Sequence, residues 1–291
     1  MANFDKRMAI RHSWGFEKRF SDVPIRTVFV LGVHESNKKL QFMVQDEQRK
    51  FGDIVQANFI DTYYNNTIKT LMGFNWAMKY CTNSRFYMFA DDDMYISTKN
   101  VLRFLRNPTQ YPKYLETPVI ALPVHRSKQL KKFVSENKDD KNVYSNSLSY
   151  NRKLNQVIDF ELSDDVKLFA GFVFVSAPHR HRSSKWYVRL SEYPYHMWPP
   201  YVTAGAYILS HDALVDMYYG SLYTQHFRFD DIYLGLVAKK VDLEPFHCSE
   251  FYFYKKEYNV YSYRYVIASH GFSDPDELLR IWNEQRSAGN A

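Results

Sequence analysis

Along the first ninety residues, short apolar runs alternate with amphipathic stretches. Thr27 to Leu31, followed by Gly32, predicts a buried strand, and Leu40 to Phe51 keeps its apolar positions at helical spacing until Gly52 stops it. Asp53 to Phe59 predicts a second strand. Thr67 to Tyr80 puts Ile68, Leu71 and Met72 on one helical face, and Phe86 to Ala90 predicts a third strand. A βαβαβ order of this kind predicts an α/β fold with a mostly parallel central sheet flanked by helices.

Thr98 is positioned to cap a short helix, Lys99 to Leu105, closed by Asn107-Pro108. From about Ser127 to Asp165 the chain is polar and almost without periodicity, so a poorly ordered insertion is expected at about 118–165 within a single domain, 1–291. Leu168 to Val175 is again apolar, interrupted by Gly171. Ser210 is positioned to cap a helix from His211 to Tyr219, Asp230-Asp231 opens another to about Lys240, and Ser273 to Arg286 predicts a last helix burying Leu278, Ile281 and Trp282. The stretch Trp198-Pro199-Pro200-Tyr201 to Tyr207 has a stiff start and small residues between aromatics. It suits a packing turn, or a place where a ligand approaches the backbone at Ala204 and Gly205 while Trp198 and Tyr201 stack on sugar faces.

Composition narrows the partners. The net charge of +6 suits an anionic small substrate, but the basic residues are scattered rather than striped, which argues against nucleic acid. The densest cluster, His179-Arg180-His181-Arg182 with Lys185, could reach a phosphate, although a solvated loop is the plainer reading. The supply of 24 Tyr and 22 Phe fits stacking on sugars or bases. Two cysteines, Cys81 and Cys248, exclude a disulfide scaffold and a thiolate metal site and leave their own pairing open. No apolar stretch approaches the length of a membrane span.

The chemistry concentrates in two acidic groups. Asp91-Asp92-Asp93 follows the third strand, where ligands of parallel sheets bind, and like charges packed so closely call for a cation. A divalent ion carrying a diphosphate needs only one or two protein carboxylates. Asp91 and Asp93 share one side of an extended segment and Asp92 faces away. The plain alternative is an acidic turn. Asp230-Asp231 stands at a helix start, where backbone N–H groups and the helix dipole are expected to fix both carboxylates and lower their pKa. One can serve as an N-cap and the other can accept a proton from a substrate hydroxyl. A glycosidase would also use two carboxylates, but three adjacent aspartates are wasteful for that task, so metal plus base is preferred. His247 and His270 could complete an ion shell.

Together these segments resemble the β-1,3-glycosyltransferases of the galactosyltransferase family. The matching stretches are RMAIRHSWG (Arg7 to Gly15), DTYYNNTIKTL (Asp61 to Leu71), the aspartate triplet, Lys185-Trp186-Tyr187, PPYVTAGAYILS (Pro199 to Ser210), DDIYLG (Asp230 to Gly235) and the tail around His270. STKNVLRFL at Ser97 to Leu105, FRFDDIYLG at Phe227 to Gly235 and the ending IASHGFSDPDELLRIWNEQRSA are closest to the Brainiac type, whose members are N-acetylglucosaminyltransferases.

The resemblance implies a GT-A fold, a UDP-sugar donor, Mn2+ with Mg2+ as the alternative, and an inverting mechanism. It further implies a glycolipid or glycan acceptor with a β-mannosyl end, and N-acetylglucosamine as the sugar moved, with galactose as the alternative. Carried over, Asp93 is the metal ligand with Asp91 and His270 beside it. Arg7, Arg11, Asp61, Lys69, Asp91 and Asp92 lie around the UDP, and Lys185 and Trp186 around the sugars. Asp231 is the expected base, with Asp230 its neighbour and rival. The expected location is the lumenal face of the Golgi membrane, through an anchor and stem absent from this chain. A sugar-binding module without turnover is the alternative from another class. The sequon Asn65-Asn66-Thr67 is expected to be hidden at a helix start.

Overall fold

The computed structural model of the chain describes residues 1–34, 36–116, 162–163 and 165–291. In chain order its elements are α1 (Phe4–His12), β1 (Phe29–Val33), α2 (Lys38–Phe51), β2 (Ile54–Ile60), a 3-10 turn (Tyr63–Asn65), α3 (Asn66–Tyr80), β3 (Phe86–Ala90) and β4 (Met94–Ile96). There follow α4 (Thr98–Arg106), α5 (Lys113–Glu116), β5 (Phe169–Phe174), β6 (Tyr201–Ser210), α6 (His211–Leu222), α7 (Asp230–Lys240), β7 (Phe246–His247), β8 (Phe251–Tyr252), β9 (Ala268–His270) and α8 (Pro275–Ser287). The chain falls into two compact units, Met1–Asn100 with Asp164–Ala291, and Val101–Ser163. Nearly all of the expected insertion at about 118–165 lies outside the described residues. In the smaller unit, the Tyr114 hydroxyl donates to the Arg103 carbonyl at 2.7 Å and Phe104 meets the Tyr111 ring edge-on.

In the larger unit the strands form a mixed set of sheets, which corrects the expected mostly parallel one. β1 and β2 make a parallel pair; β3-β6-β5-β7 make a four-stranded sheet in which β6 runs antiparallel to both β3 and β5; and β4-β9-β8 make a third sheet. The physical reason is that β3 takes as its partner β6, more than a hundred residues later in the chain, and not a strand of the first βα units. An apolar run of five residues carries no mark of its partner's direction.

One face of the four-stranded sheet carries Tyr87, Phe169, Val202, Tyr207 and Leu209 against Phe74 and Ala77 of α3, Leu214 and Met217 of α6, and Leu234 and Val237 of α7. A second core joins Ala9 and Ile10 of α1 to Tyr95, Tyr263 and Phe272 and to Leu278, Ile281 and Trp282 of α8. Each such fully buried large apolar side chain contributes roughly 1.5–3 kcal/mol. Local signals explain the helix ends. Gly52 stops α2 in the left-handed region at φ 68°, and the Asp274 side chain accepts from Asp276 N–H where Pro275 begins α8.

Two capping expectations change. The hydroxyl that accepts from the first turn of α4 belongs to Ser97, bonded by Asn100 N–H at 3.0 Å, while Thr98 donates to the Trp14 carbonyl. Ser210 precedes α6 without capping it, because its hydroxyl accepts from Leu168 N–H across the sheet. The segment read as a turn around Tyr201 is the long central strand β6.

Candidate active site

Strand pairing assembles the site. β3 ends at Ala90 opposite Ala206 of β6, and the next amide, Asp91 N–H, donates to the Gly205 carbonyl at 3.0 Å. The chain turns through the aspartates into β4, whose Met94 pairs with His270 of β9, and Phe272 N–H closes the pairing on the Asp93 carbonyl. His270 Nε2 is thereby held 3.4 Å from Asp93 Oδ2. Gly205 lies beneath them: a Cβ built there would stand 3.4 Å from Met94 Sδ and 3.9 Å from the His270 ring.

A cleft of about 270 Å³ opens over these groups, with Asp91, His270, Thr203 and Gly205 on its floor. Asp230 and Asp231 reach it from the start of α7, which packs on β6 so tightly that a Cβ on Gly235 would sit 2.5 Å from Tyr201 Cβ. Tyr63, Phe174, Trp186, Phe229 and Phe253 supply aromatic walls. Both acidic groups, far apart in sequence, therefore face one space.

The electrostatics divide the carboxylates. The bond from His270 holds Asp93 below the ordinary carboxylate range, and Asp93 in turn raises His270. Loss of solvent around its carboxylate pushes Asp91 up to about 7, reinforced by the charges of Asp230, Asp93 and Asp92, while the residue as a whole stays exposed. Asp231 is likewise pushed up to about 7, by burial first and by Asp230 second, and Asp230 is raised by burial. This reverses the expectation for a helix start. Asp231 Oδ1 does accept from Ile232 N–H at 2.7 Å, but the loss of solvent outweighs that bond. Neither aspartate caps through its side chain; the position before the helix is Phe229. Tyr207 completes this end, its hydroxyl buried beside Thr70 and kept protonated by burial and by the charges of Asp230 and Asp91.

Asp93 Oδ1 is buried with no hydrogen-bond partner, and its other oxygen faces an imidazole nitrogen. An orphaned carboxylate oxygen beside an imidazole is a donor set that fits Mn2+ or Mg2+. Among the described residues no group of three or more His, Cys, Asp or Glu is placed to hold a metal ion.

Other expected residues lie elsewhere. Asp92 faces away, as its alternation implied, and accepts from Asn3 Nδ2 at 2.7 Å and Lys6 Nζ at 3.0 Å, tying α1 to the aspartate turn. Arg7 and Arg11 do not line the cleft. Arg7 is buried on Glu47 of α2, and Arg11 bridges Glu47 and Asp53 while packing on the Phe29 and Phe51 rings. Asp61 pairs with Lys69 at 2.5 Å and accepts from Gly32 N–H; burial alone would raise it, but the lysine holds it low.

Trp198 is buried among Val188, Phe229 and Ile232, and so is core rather than a stacking surface. Tyr201 is half-buried, its hydroxyl 3.0 Å from Ser176 Oγ. Ala204 lies within β6. Trp186 does line the cleft, and Lys185 Nζ stands 4.2 Å from the Tyr63 ring centre. Arg180 is spent on the carbonyls of Val188, Tyr193 and Tyr195, not on a free phosphate site. His247 is apart from the aspartates, against Phe172. The two cysteines are unpaired. Thr67 of the sequon is buried and bonded to the Phe227 carbonyl.

Sequence reasoning missed Arg228, which lines the cleft, pairs with Glu192 at 2.5 Å and donates to the Tyr187 carbonyl, pinning the segment that carries Trp186. Its signal was a lone cation between two phenylalanines directly before the paired aspartates.

The sequence matches the family described as Galactosyltransferase over residues 5–149 and 138–249. It is 43% identical over 292 residues to Beta-1,3-galactosyltransferase brn of Drosophila melanogaster, covering 100% of this chain and 73% of that one. It is 31% identical over 284 residues to Beta-1,3-galactosyltransferase 1 of Mus musculus, covering 98% and 71%, and the Homo sapiens protein of the same name gives the same values. The two carboxylate groups facing one cleft thus sit in a chain that belongs to the galactosyltransferase family and is a hexosyltransferase.

Proposed function

We propose that the protein moves N-acetylglucosamine from UDP-GlcNAc, in β-1,3 linkage, to a β-mannosyl end of a glycolipid or glycan, in a GT-A type domain. The observation that carries this reading is a single cleft lined at one end by Asp91 and by His270, the partner of Asp93, and, within the same space, by an Asp231 whose pKa is pushed up to about 7. A carboxylate near 7 is ionised often enough to act and basic enough to accept a proton from an attacking hydroxyl. Asp231 takes the proton of the acceptor's 3-hydroxyl as that oxygen attacks the anomeric carbon from the face opposite UDP, so an α-linked donor gives a β-linked product. Burial and the neighbouring charge of Asp230 disfavour ionisation of that carboxylate.

Asp93 and His270, with Asp91 beside them, would hold Mn2+ or Mg2+. When bound, the ion supplies positive charge against the leaving diphosphate. Asp61 and Lys69 fix the ends of β1 and α3 near the donor side, and Trp186 offers a ring to a sugar face. The setting is the lumenal face of the Golgi membrane. No helix among the described residues is long and apolar enough to cross a membrane.

A second reading, transfer of galactose from UDP-Gal, is favoured by the printed names of the relatives, which are galactosyltransferases. Product analysis with each donor, Mn2+ and a β-mannosyl acceptor separates the two. Transfer of galactose alone would replace the donor assignment. Normal turnover by Asp231→Asn would remove the base, and release of no UDP with any acceptor would leave a binding module.

A further inference from the structure

The four-stranded sheet hides one face under helices and leaves the other partly open. On that open side Phe172 and Phe174, two apart on β5, meet each other at 5.1 Å between ring centres, and both meet Phe253, at 4.7 and 4.8 Å. The tier is continuous with the cleft, because Phe174 and Phe253 line it. It also lies on the side of the base: Phe174 stacks on Tyr201 at 5.8 Å and 26°, and Tyr201 feels the charge of Asp231. These three phenylalanines belong to neither of the buried cores described above, and Phe253 is 43% exposed. A tier of two half-buried rings and one exposed ring running out of a candidate cleft points to a ligand surface.

The far end of the tier is polar. His247, opposite Gly171 across the β5–β7 pairing, sets its ring edge-on to Phe172 at 5.0 Å. Its Nδ1 accepts from Val173 N–H at 3.2 Å, so the neutral ring carries its proton on Nε2, and the side chain is exposed. An aromatic floor ending in a fixed N–H donor matches a saccharide, which shows C–H groups on one face and hydroxyls at its rim. An alkyl chain would use the aromatic floor alone and leave the exposed donor to water.

We propose that Phe172, Phe174, Phe253 and His247 form a second acceptor subsite, which binds the sugar following the reacting hexose toward the reducing end. The subsite rests on the functional reading above, because it takes Asp231 as the group beside the reacting hydroxyl. It makes the enzyme a reader of disaccharide ends rather than of single sugars.

The test compares methyl β-mannoside with the methyl glycoside of a β-mannosyl-hexose disaccharide as acceptors, in the wild type, Phe172→Ala, Phe253→Ala and Phe253→Tyr. Phe172 does not line the cleft, so its loss spares the reacting end. The wild type is expected to favour the disaccharide in kcat/KM by about tenfold, a difference equivalent to about 1.4 kcal/mol. Both alanine variants should lose most of that preference through the disaccharide KM, Phe172→Ala while transferring to the monosaccharide as before, and Phe253→Tyr should keep it. Unchanged monosaccharide transfer also serves as the folding control. An unchanged disaccharide preference in both alanine variants overturns the subsite alone. So does a result in which those variants lose preference for an octyl over a methyl mannoside but not for the second sugar, since the tier is then a lipid surface. No transfer to any acceptor with either donor overturns the functional reading, and the subsite with it.

Discussion

Replacing Asp231 by Asn should stop turnover and make the protein more stable at neutral pH. The carboxyl moves from an ordinary 3.8 to about 7 on folding because burial and Asp230 disfavour its charge. At about 1.4 kcal/mol per pH unit, that difference caps the cost of ionising it in the folded state at about 4 kcal/mol. Asp230 shares the strain, so a gain of about 1–3 kcal/mol is the working expectation. Above pH 7 the group is ionised in both states and the folded state carries the whole penalty. Below 3.8 it is protonated in both and the penalty is gone, so the disadvantage of Asp grows as pH rises between those limits. Asn keeps the oxygen that accepts from Ile232 N–H and carries no charge at any pH. Urea unfolding of both proteins at pH 4 and pH 8, with divalent ions chelated, measures the effect. The Asn variant should unfold at clearly higher urea at pH 8 and near the wild-type midpoint at pH 4. An advantage that is absent at pH 8, or of the same size at both pH values, would refute the assignment of a buried, raised carboxyl.

Three further outcomes follow from other parts of the structure. Asp93→Ala removes the orphaned oxygen and the His270 partner, so Mn2+-dependent transfer should fall below detection while circular dichroism stays unchanged; near-normal transfer would end its role at the ion. Arg7→Met removes one of the two arginines on the buried Glu47 carboxylate, leaving Arg11, and should cost about 1.5–3 kcal/mol in unfolding free energy with the donor KM unchanged, whereas a raised KM without loss of stability would return Arg7 to the donor site. Gly235→Ala drives a methyl against Tyr201 and should lower stability by about 1–3 kcal/mol despite alanine's better helix propensity; a melting temperature equal to or above the wild type's would show that α7 has room to move from β6.

What was legible in the sequence had local causes. Phe86–Ala90 and Asp230–Lys240 stand where the apolar run and the acidic start put them, and α2 ends at the glycine that can turn left-handed. The tyrosine-to-serine stretch 201–210 was not legible as a strand, because Thr203, Ala204, Gly205 and Ala206 pack weakly by themselves. Its conformation comes from pairing on both edges, with β3 and with β5. The pKa of Asp231 was misjudged for a related reason: the helix start is visible in sequence, whereas the aromatic and acidic neighbours that exclude water from it come from distant segments. Arg7 and Arg11 looked free because Glu47 and Asp53, their partners, lie some forty residues on. Partnership of Asp93 with His270 could be reached only through resemblance, since no local pattern joins them.

The pairing of β4 with β9 also governs when the protein can work during its own synthesis. The turn carrying Asp93 is made early, but the imidazole and the Phe272 amide that hold it arrive 177 and 179 residues later. Until that late strand has emerged and docked, Asp93 lacks the imidazole and the amide that hold it, although Asn3 and Lys6 can already reach Asp92. Contacts of such long range close slowly. A growing chain therefore cannot complete the Asp93–His270 end of the candidate site until nearly all of the sequence described here has been made.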